Sequence, residues 1–293
     1  MCIRDSIHSM QTQPHIFLNT KKSKSHEEHY ECLHAFAKGS NGIIKNYDQY
    51  EVCEIAILFG VFKKYVPTSF ERGRIISNQI KNKKIIIIID QGFIRKDLNG
   101  TNYYSVGFDS IIGWGNYKNN KMDENRFQKL GIKIKDWRQE DKNQHILLCG
   151  QVPWDASCQY ININQWLVDT ALQCKQYSNR KIIYRPHPKA LEHNPKNIPG
   201  CVTSHKPIEE DLKNAYCTIV YNSNSSVDSL IQGVPVICLG QGCVASSVSS
   251  INLERINYLE LRDRYQWLNN LAYTQWNIEE MRLGYPWKHL MEF

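Results

Sequence analysis

No apolar run in this sequence approaches the ~20 residues that a bilayer-spanning helix needs, which excludes a helical membrane span. Nor is there a long apolar stretch behind a basic leader, so no secretory signal is expected. The ten cysteines include no CxxC pair. Scattered through a chain of domain size, they read as buried thiols of a reduced, cytoplasmic protein, with Cys238 and Cys243 flanking a Gly-rich turn. Internal repeats and low-complexity arrays are missing too. What remains is a globular chain of 293 residues, 42% hydrophobic, enough for one large domain or two ordinary ones.

The net charge is +7, which favours polyanionic partners such as nucleic acid or nucleotide phosphates. Its basic clusters, at 81–84, 118–121 and 129–135, read singly as exposed turns beside buried strands. "MCIRDS" looks foreign to the rest, so residues 1–9 are set aside as a non-native leader, with Met10 the expected start. "HEEHYECLH" gathers His26, His29, Cys32 and His34 on one expected helix. Without a second ligand cluster it reads as a solvated face, and no metal site is assigned.

Short apolar runs alternate with longer amphipathic stretches, the pattern of α/β layering. "EIAILFG" (54–60) and "KKIIIIID" (83–90) are near-continuous apolar strands of the kind buried on both faces of a parallel sheet. "SFERGRIISNQIKN" between them has the spacing of a crossover helix, and "HIFLNT" followed by "EEHYECLHAFAK" repeats that order. A polar stretch, 116–144, precedes a second series: the strands "HILLCGQ", "KIIYRP", "GCVTS", "YCTIVYN" and "VPVICLG", with helices between them. The expected architecture is therefore α/β, with Rossmann-like halves at 10–140 and 141–262 facing across a cleft. A helical segment, 263–293, carries Trp267 and Trp276 as glue and packs back on the first half.

Two stretches carry chemistry. "KIIYRPHPKA" delivers Arg185, His187 and Lys189 from a strand into a turn stiffened by Pro186 and Pro188, a poor packing element but a good receptor for an anion. "CTIVYNSNSSVDSLIQGVPVICLG" reads as strand, turn, helix and strand, with Ser223, Asn224, Ser225 and Ser226 at the helix start. Unpaired backbone amides and the helix dipole favour an anion there. One serine would suffice as a cap, so the cluster points to a phosphate seat.

A basic "RPHP" turn followed by "NSNSSVDSLIQGVPV" resembles the donor-binding half of nucleotide-sugar glycosyltransferases of the GT-B architecture, close to the capsule Kdo transferases and phage glycosyltransferases. "IDQGFIRKD" resembles the E-x-G-F-[IL]-R element of that family's acceptor domain, and "ILLCGQVPWDAS" the opening of its donor domain. The tail "TQWNIEEMRLGYPWKHL" is similar to phage enzymes that decorate hydroxymethylated pyrimidines in viral DNA. The resemblance implies a nucleotide-sugar donor, a UDP-sugar in preference to a CMP-sugar, and no tightly bound cofactor. Arg185, Lys189 and the Ser223–Ser226 turn would hold the donor phosphates, with Gln151 and Asp155 near it and Glu209 on the ribose. His187 would assist departure of the nucleotide. Asp90, expected at a strand end, is the candidate base for the acceptor hydroxyl, with Asp97 and Asp109 as rivals. Gly92, Arg95 and Trp114 would meet the acceptor.

Three functions are compatible with these residues. The first is sugar transfer to the hydroxymethyl group of a modified pyrimidine, such as 5-hydroxymethylcytosine, in phage DNA within an infected cell. The target base would leave the stack at a cost of roughly a few kcal/mol, with Trp114 as wedge or as interface contact. The second is transfer to a glycan, as in capsule synthesis. The third is a non-catalytic module that binds nucleotides. A monomer is expected in each case.

Overall fold

The computed structural model describes residues 13–19 and 27–292. Residues 1–9, Met10 and His26 lie outside them. The chain divides into two compact units: one takes the chain up to Ile132 and again from Leu268, and the other is Lys133–Trp267.

The first unit begins with β1 (His15–Leu18), α1 (Glu27–Ser40), β2 (Ile43–Asn46), β3 (Ile55–Phe59), α2 (Phe70–Lys81) and β4 (Ile85–Lys96). β1, β2, β3 and β4 are parallel, and β5 (Asn102–Phe108) returns antiparallel beside β4. α3 (Asn125–Lys129) follows. The isoleucine run behaves as its composition demands: Ile86 to Ile89 are each at most 1% exposed, because helices or neighbouring loops cover both faces of the strand.

One expectation fails here. β4 does not stop at Asp90 but continues to Lys96, and the strand "NYYSVGF", unread in the sequence, pairs with it. Asp90 is therefore mid-strand, directly opposite Ser105. It still marks the edge of the parallel sheet, since the last β3 pairing is Phe59 with Ile89.

The second unit contains β6 (His145–Cys149), α4 (Ile163–Tyr177), β7 (Ile182–Arg185), β8 (Cys201–Thr203), α5 (Ile208–Leu212), β9 (Ala215–Val220), α6 (Ser225–Ile231) and β10 (Val236–Cys238). All strands are parallel, in the order β10-β9-β6-β7-β8. The chain starts in the middle, winds outward to β8, then crosses to β9, so the winding reverses between β6 and β9. In open α/β sheets ligands settle outside the strand ends at such a reversal. Residues 133–140, grouped with the first half on sequence, hydrogen-bond within this unit: the Lys135 N–H donates to Ile231 O (2.9 Å) and the Arg138 N–H to Gly233 O (2.9 Å).

The chain returns to the first unit within α7 (Tyr265–Ala272), then forms β11 (Gln275–Trp276), α8 (Ile278–Arg282) and α9 (Tyr285–Glu292). β11 pairs antiparallel with β5. Buried Gln275 mends the ladder where the β4–β5 register breaks: its Nε2 donates to Ile94 O (2.7 Å) and its Oε1 accepts from Ile94 N–H (2.8 Å). Trp276, Met281 and Leu290 join the core of this unit. α8 lies so close to α1 that a Cβ on Gly39 would sit 2.0 Å from the Met281 carbonyl oxygen.

Candidate active site

The ends of β7, β6 and β9 are stitched together by side-chain amides. The His187 N–H donates to Asn194 Oδ1 (2.9 Å), and Asn194 Nδ2 donates to the Gln151 carbonyl (2.9 Å). Gln151 Nε2 donates to Asn222 Oδ1 (2.6 Å) and to Ser157 Oγ (2.8 Å). Asn222 Nδ2 in turn donates to the carbonyls of Ser157 (2.9 Å) and Gln241 (3.0 Å), which fixes its Oδ1 as the acceptor and hence the orientation of Gln151. The result is a polar layer across three strand ends at the winding reversal. Gln151 Oε1 is buried and has no hydrogen-bond partner among the described residues. Such an orphan costs roughly 1–3 kcal/mol unless a ligand or water supplies a donor. Asp155 braces the layer by accepting from the Ser157 hydroxyl (2.7 Å).

His187 presents a defined tautomer. The Lys189 N–H donates to its Nδ1 (3.1 Å), which leaves the proton of the neutral ring on Nε2, a hydrogen-bond donor. Lys189 and Glu209 are exposed, Glu209 in the first turn of α5.

Arg185 departs from expectation. Its guanidinium turns to the Lys206 carbonyl and to Asp211, with Nη1 3.5 Å from Asp211 Oδ2. Asp211 is 3% exposed, and its Oδ1 accepts from Ser204 Oγ (2.7 Å). The arginine is thus a fixed, partly neutralised charge at the end of β7, not a loose cation.

The Ser/Asn turn also needs correction. The amides expected to be unpaired are used within the turn: Ser226 N–H donates to Ser223 O (3.1 Å), Val227 N–H to Asn224 O (2.9 Å) and Ser225 N–H to Ser223 Oγ (3.3 Å). Ser226 is fully buried and its hydroxyl donates to Ser223 O (2.8 Å), so it is a structural residue of the turn. What the turn offers is the hydroxyl pair of Ser223 and Ser225, 3.2 Å apart. Asn224 is half-buried and its side chain does not cap α6.

In the first unit, Asp90 accepts from the Gln91 N–H (2.8 Å), and its charge acts on Tyr117. Burial first, and then that charge, hold the Tyr117 phenol far above its ordinary range, so it stays protonated; its hydroxyl donates to Ile112 O (2.9 Å). Ile112 has φ 48°, a costly conformation for a β-branched residue, in the loop that displays Trp114 at 46% exposure. Arg95 is exposed. Gly92 serves the sheet itself: a Cβ there would lie 2.6 Å from the Tyr103 carbonyl oxygen, so the backbone approaching it is β5. The rival carboxylates have other settings. Asp97 Oδ1 caps the β4–β5 turn by accepting from the N–H groups of Asn99 and Thr101 (2.9 Å each). Asp109 lies back opposite the start of β4, its N–H donating to Ile86 O (3.0 Å).

Among the described residues, no three His, Cys, Asp or Glu side chains are grouped to hold a metal ion. In the histidine-rich segment, His29 stacks on Phe59 and His34 tilts on Tyr30, while Cys32 is buried against Met281. No described helix is long and apolar enough to cross a membrane.

Neither the protein-family models nor the curated proteins contain a match to this chain. Solved structures do. The beta Kdo 2,4 transferase of Thermosulfurimonas dismutans KpsC superposes with a TM-score of 0.61 at 11% identity, over 90% of this chain and 91% of its own. The beta Kdo 2,7 transferase of the same protein gives 0.54 at 16% identity, over 93% and 99%. This chain shares their fold.

Asn194, Asn222, Ser157 and Asp211 are site residues that sequence reasoning did not single out. Asn222 directly precedes Ser223, and Ser157 lies two residues after Asp155, both within the motifs that carry the resemblance. Asn194 and Asp211 gave no signal, because their roles exist only where separate loops meet.

Proposed function

We propose that the protein is a glycosyltransferase that moves a sugar from a nucleotide-activated donor to a hydroxyl group, and that the acceptor is a saccharide. The observation that carries this is the amide-linked layer from His187 through Asn194 and Gln151 to Asn222, at the winding reversal of a sheet whose fold is shared with sugar transferases. Around it stand donors suited to a phosphate: the His187 Nε2–H, the Lys189 ammonium, and the hydroxyls of Ser223 and Ser225. Arg185, held by Asp211, adds a fixed positive charge. Glu209 is assigned to ribose hydroxyls, and the donor is a UDP- or CMP-sugar.

As the bond from the anomeric carbon to the leaving phosphate breaks, negative charge grows on the phosphate oxygen, where preoriented donors lower the barrier. The acceptor oxygen forms the new bond to that carbon, and its proton passes to Asp90, the base assigned here. Arg95 and Trp114 are assigned to the acceptor.

Transfer to hydroxymethylated DNA is a second reading with the same chemistry, favoured by the net charge of +7 and the exposed Trp114. One experiment separates the two. The protein is incubated with a panel of sugar nucleotides and either oligosaccharides or hydroxymethylated duplex DNA, and products are weighed by mass spectrometry. A glycan gaining one sugar supports the first reading, and a nucleoside gaining one supports the second. No gain on either, with nucleotide binding intact, would leave a binding module.

A further inference from the structure

The turn after β10 holds a feature that sugar transfer does not use. Cys238 closes the strand and Cys243 follows the turn Leu239-Gly240-Gln241-Gly242, yet the two Sγ atoms are 3.0 Å apart. Both residues are nearly sealed from solvent, at 3% and 5% exposure. A disulfide places its sulfurs about 2.05 Å apart, so closure needs a shift of about 1 Å, within the reach of a turn containing two glycines.

The chemistry of the pair is asymmetric. The hydrogen bond between the thiols pulls Cys243 below the ordinary thiol range and pushes Cys238 above it. Cys243 Sγ also lies 3.6 Å from the Ser226 hydroxyl, so it is assigned as the nucleophile and Cys238 as the resolving partner. Other buried thiols lack such help: burial pushes Cys149 and Cys174 up to about 12, which keeps them protonated and slow to oxidise.

We propose that Cys238 and Cys243 are a redox pair whose reversible disulfide stiffens the turn beside the strand-end site. With hydrogen peroxide as oxidant, the Cys243 thiolate attacks one oxygen, the O–O bond breaks, and a sulfenic acid and hydroxide form. The Cys238 sulfur then attacks the sulfenic sulfur, the S–S bond forms, the S–O bond breaks and water leaves. In total, two thiols and one peroxide give one disulfide and two waters. The turn reaches the site through the Gln241 carbonyl, which accepts from Asn222 Nδ2 while Asn222 Oδ1 accepts from Gln151, and through the Gly240 N–H, which donates to Tyr221 O (2.8 Å).

The test uses the full chain, freed of reductant and exposed to hydrogen peroxide, then unfolded and alkylated before mass spectrometry. The expected result is a loss of two hydrogens and of two alkylatable thiols, in the segment carrying Cys238 and Cys243, with Cys217 still alkylated and dithiothreitol restoring both thiols. In Cys243→Ser, Cys238 remains alkylatable. In Cys238→Ser, a sulfenic acid at Cys243 becomes trappable by dimedone. Amide exchange at Gly240, Gln241 and Gly242 slows by about tenfold or more in the oxidised wild type and is unchanged in either variant. Full alkylation of both cysteines after peroxide, or a sulfinic acid at Cys243 with Cys238 still free, overturns the pair. Unchanged exchange in the cross-linked protein overturns the stiffening. None of these readouts involves a sugar donor.

Discussion

Arg185 and Asp211 pose a question that a double-mutant cycle answers: does this arginine serve the fold, the donor, or both? At 3.5 Å and an effective dielectric of about 20, the direct attraction is about 5 kcal/mol, from which the cost of desolvating two charges must be subtracted. The side chains are 13% and 2% exposed, so solvent screening is slight. Asp211→Leu leaves a guanidinium that still has the Lys206 carbonyl, and a loss of about 3 kcal/mol is expected. Arg185→Met should cost more, about 4 kcal/mol, because Asp211 Oδ2 then has no partner at all. The double variant, with both charges gone, should cost only about 1–2 kcal/mol, giving a coupling of about 5–6 kcal/mol, above the ~0.5–3 kcal/mol usual for residues in contact because each single variant strands a buried charge. Thermal and denaturant unfolding supply the stabilities, and titration with UDP- and CMP-sugars supplies the affinities. Stability should return in the double variant while donor affinity stays reduced by about tenfold or more, since the charge on the phosphate side is missing. Additive single effects would refute the pairing argument, and wild-type affinity in the double variant would refute the donor role.

Asp90→Asn should lower turnover by at least about a hundredfold with donor affinity unchanged, read by single-turnover assay and calorimetry; equal turnover removes it as base. Gly92→Ala should destabilise by about 2–3 kcal/mol, because the Tyr103 carbonyl must move, and a melting curve like the wild type would contradict that packing. Burial lowers the pKa of His145 and His289. The unfolded chain then takes up these protons first, so the stability they contribute is complete above pH ~6.5 and is lost as pH falls through their folded values. Melting temperature should fall on acidification from pH 7 to 5, and His145→Gln should flatten part of that slope. Trp114→Ala should leave melting within about a degree yet raise KM for the acceptor, because the ring is half-exposed and buries little.

The sequence by itself determined the layered α/β architecture, since runs such as "KKIIIIID" and "YCTIVYN" have few other places to go than strands covered on both faces. It also located the strand ends that carry Gln151, His187 and Ser223, because polar residues directly after a buried strand fall at the sheet's carboxyl edge. It did not reveal that β4 runs past Asp90. The pairing of Gln91 with Tyr104 and the repair by Gln275, 181 residues from Ile94, are contacts that no local pattern encodes. Nor did it show that Ser226 faces inward or that Arg185 answers to Asp211, because hydrogen-bond partners are chosen by what else arrives at the same point in space. Periodicity is a property of neighbours along the chain, and it specified the elements. Satisfaction of buried polar groups is a property of neighbours across it, and only the tertiary structure decided which of the candidate residues are held, which are turned away, and which are joined by Asn194 and Asn222.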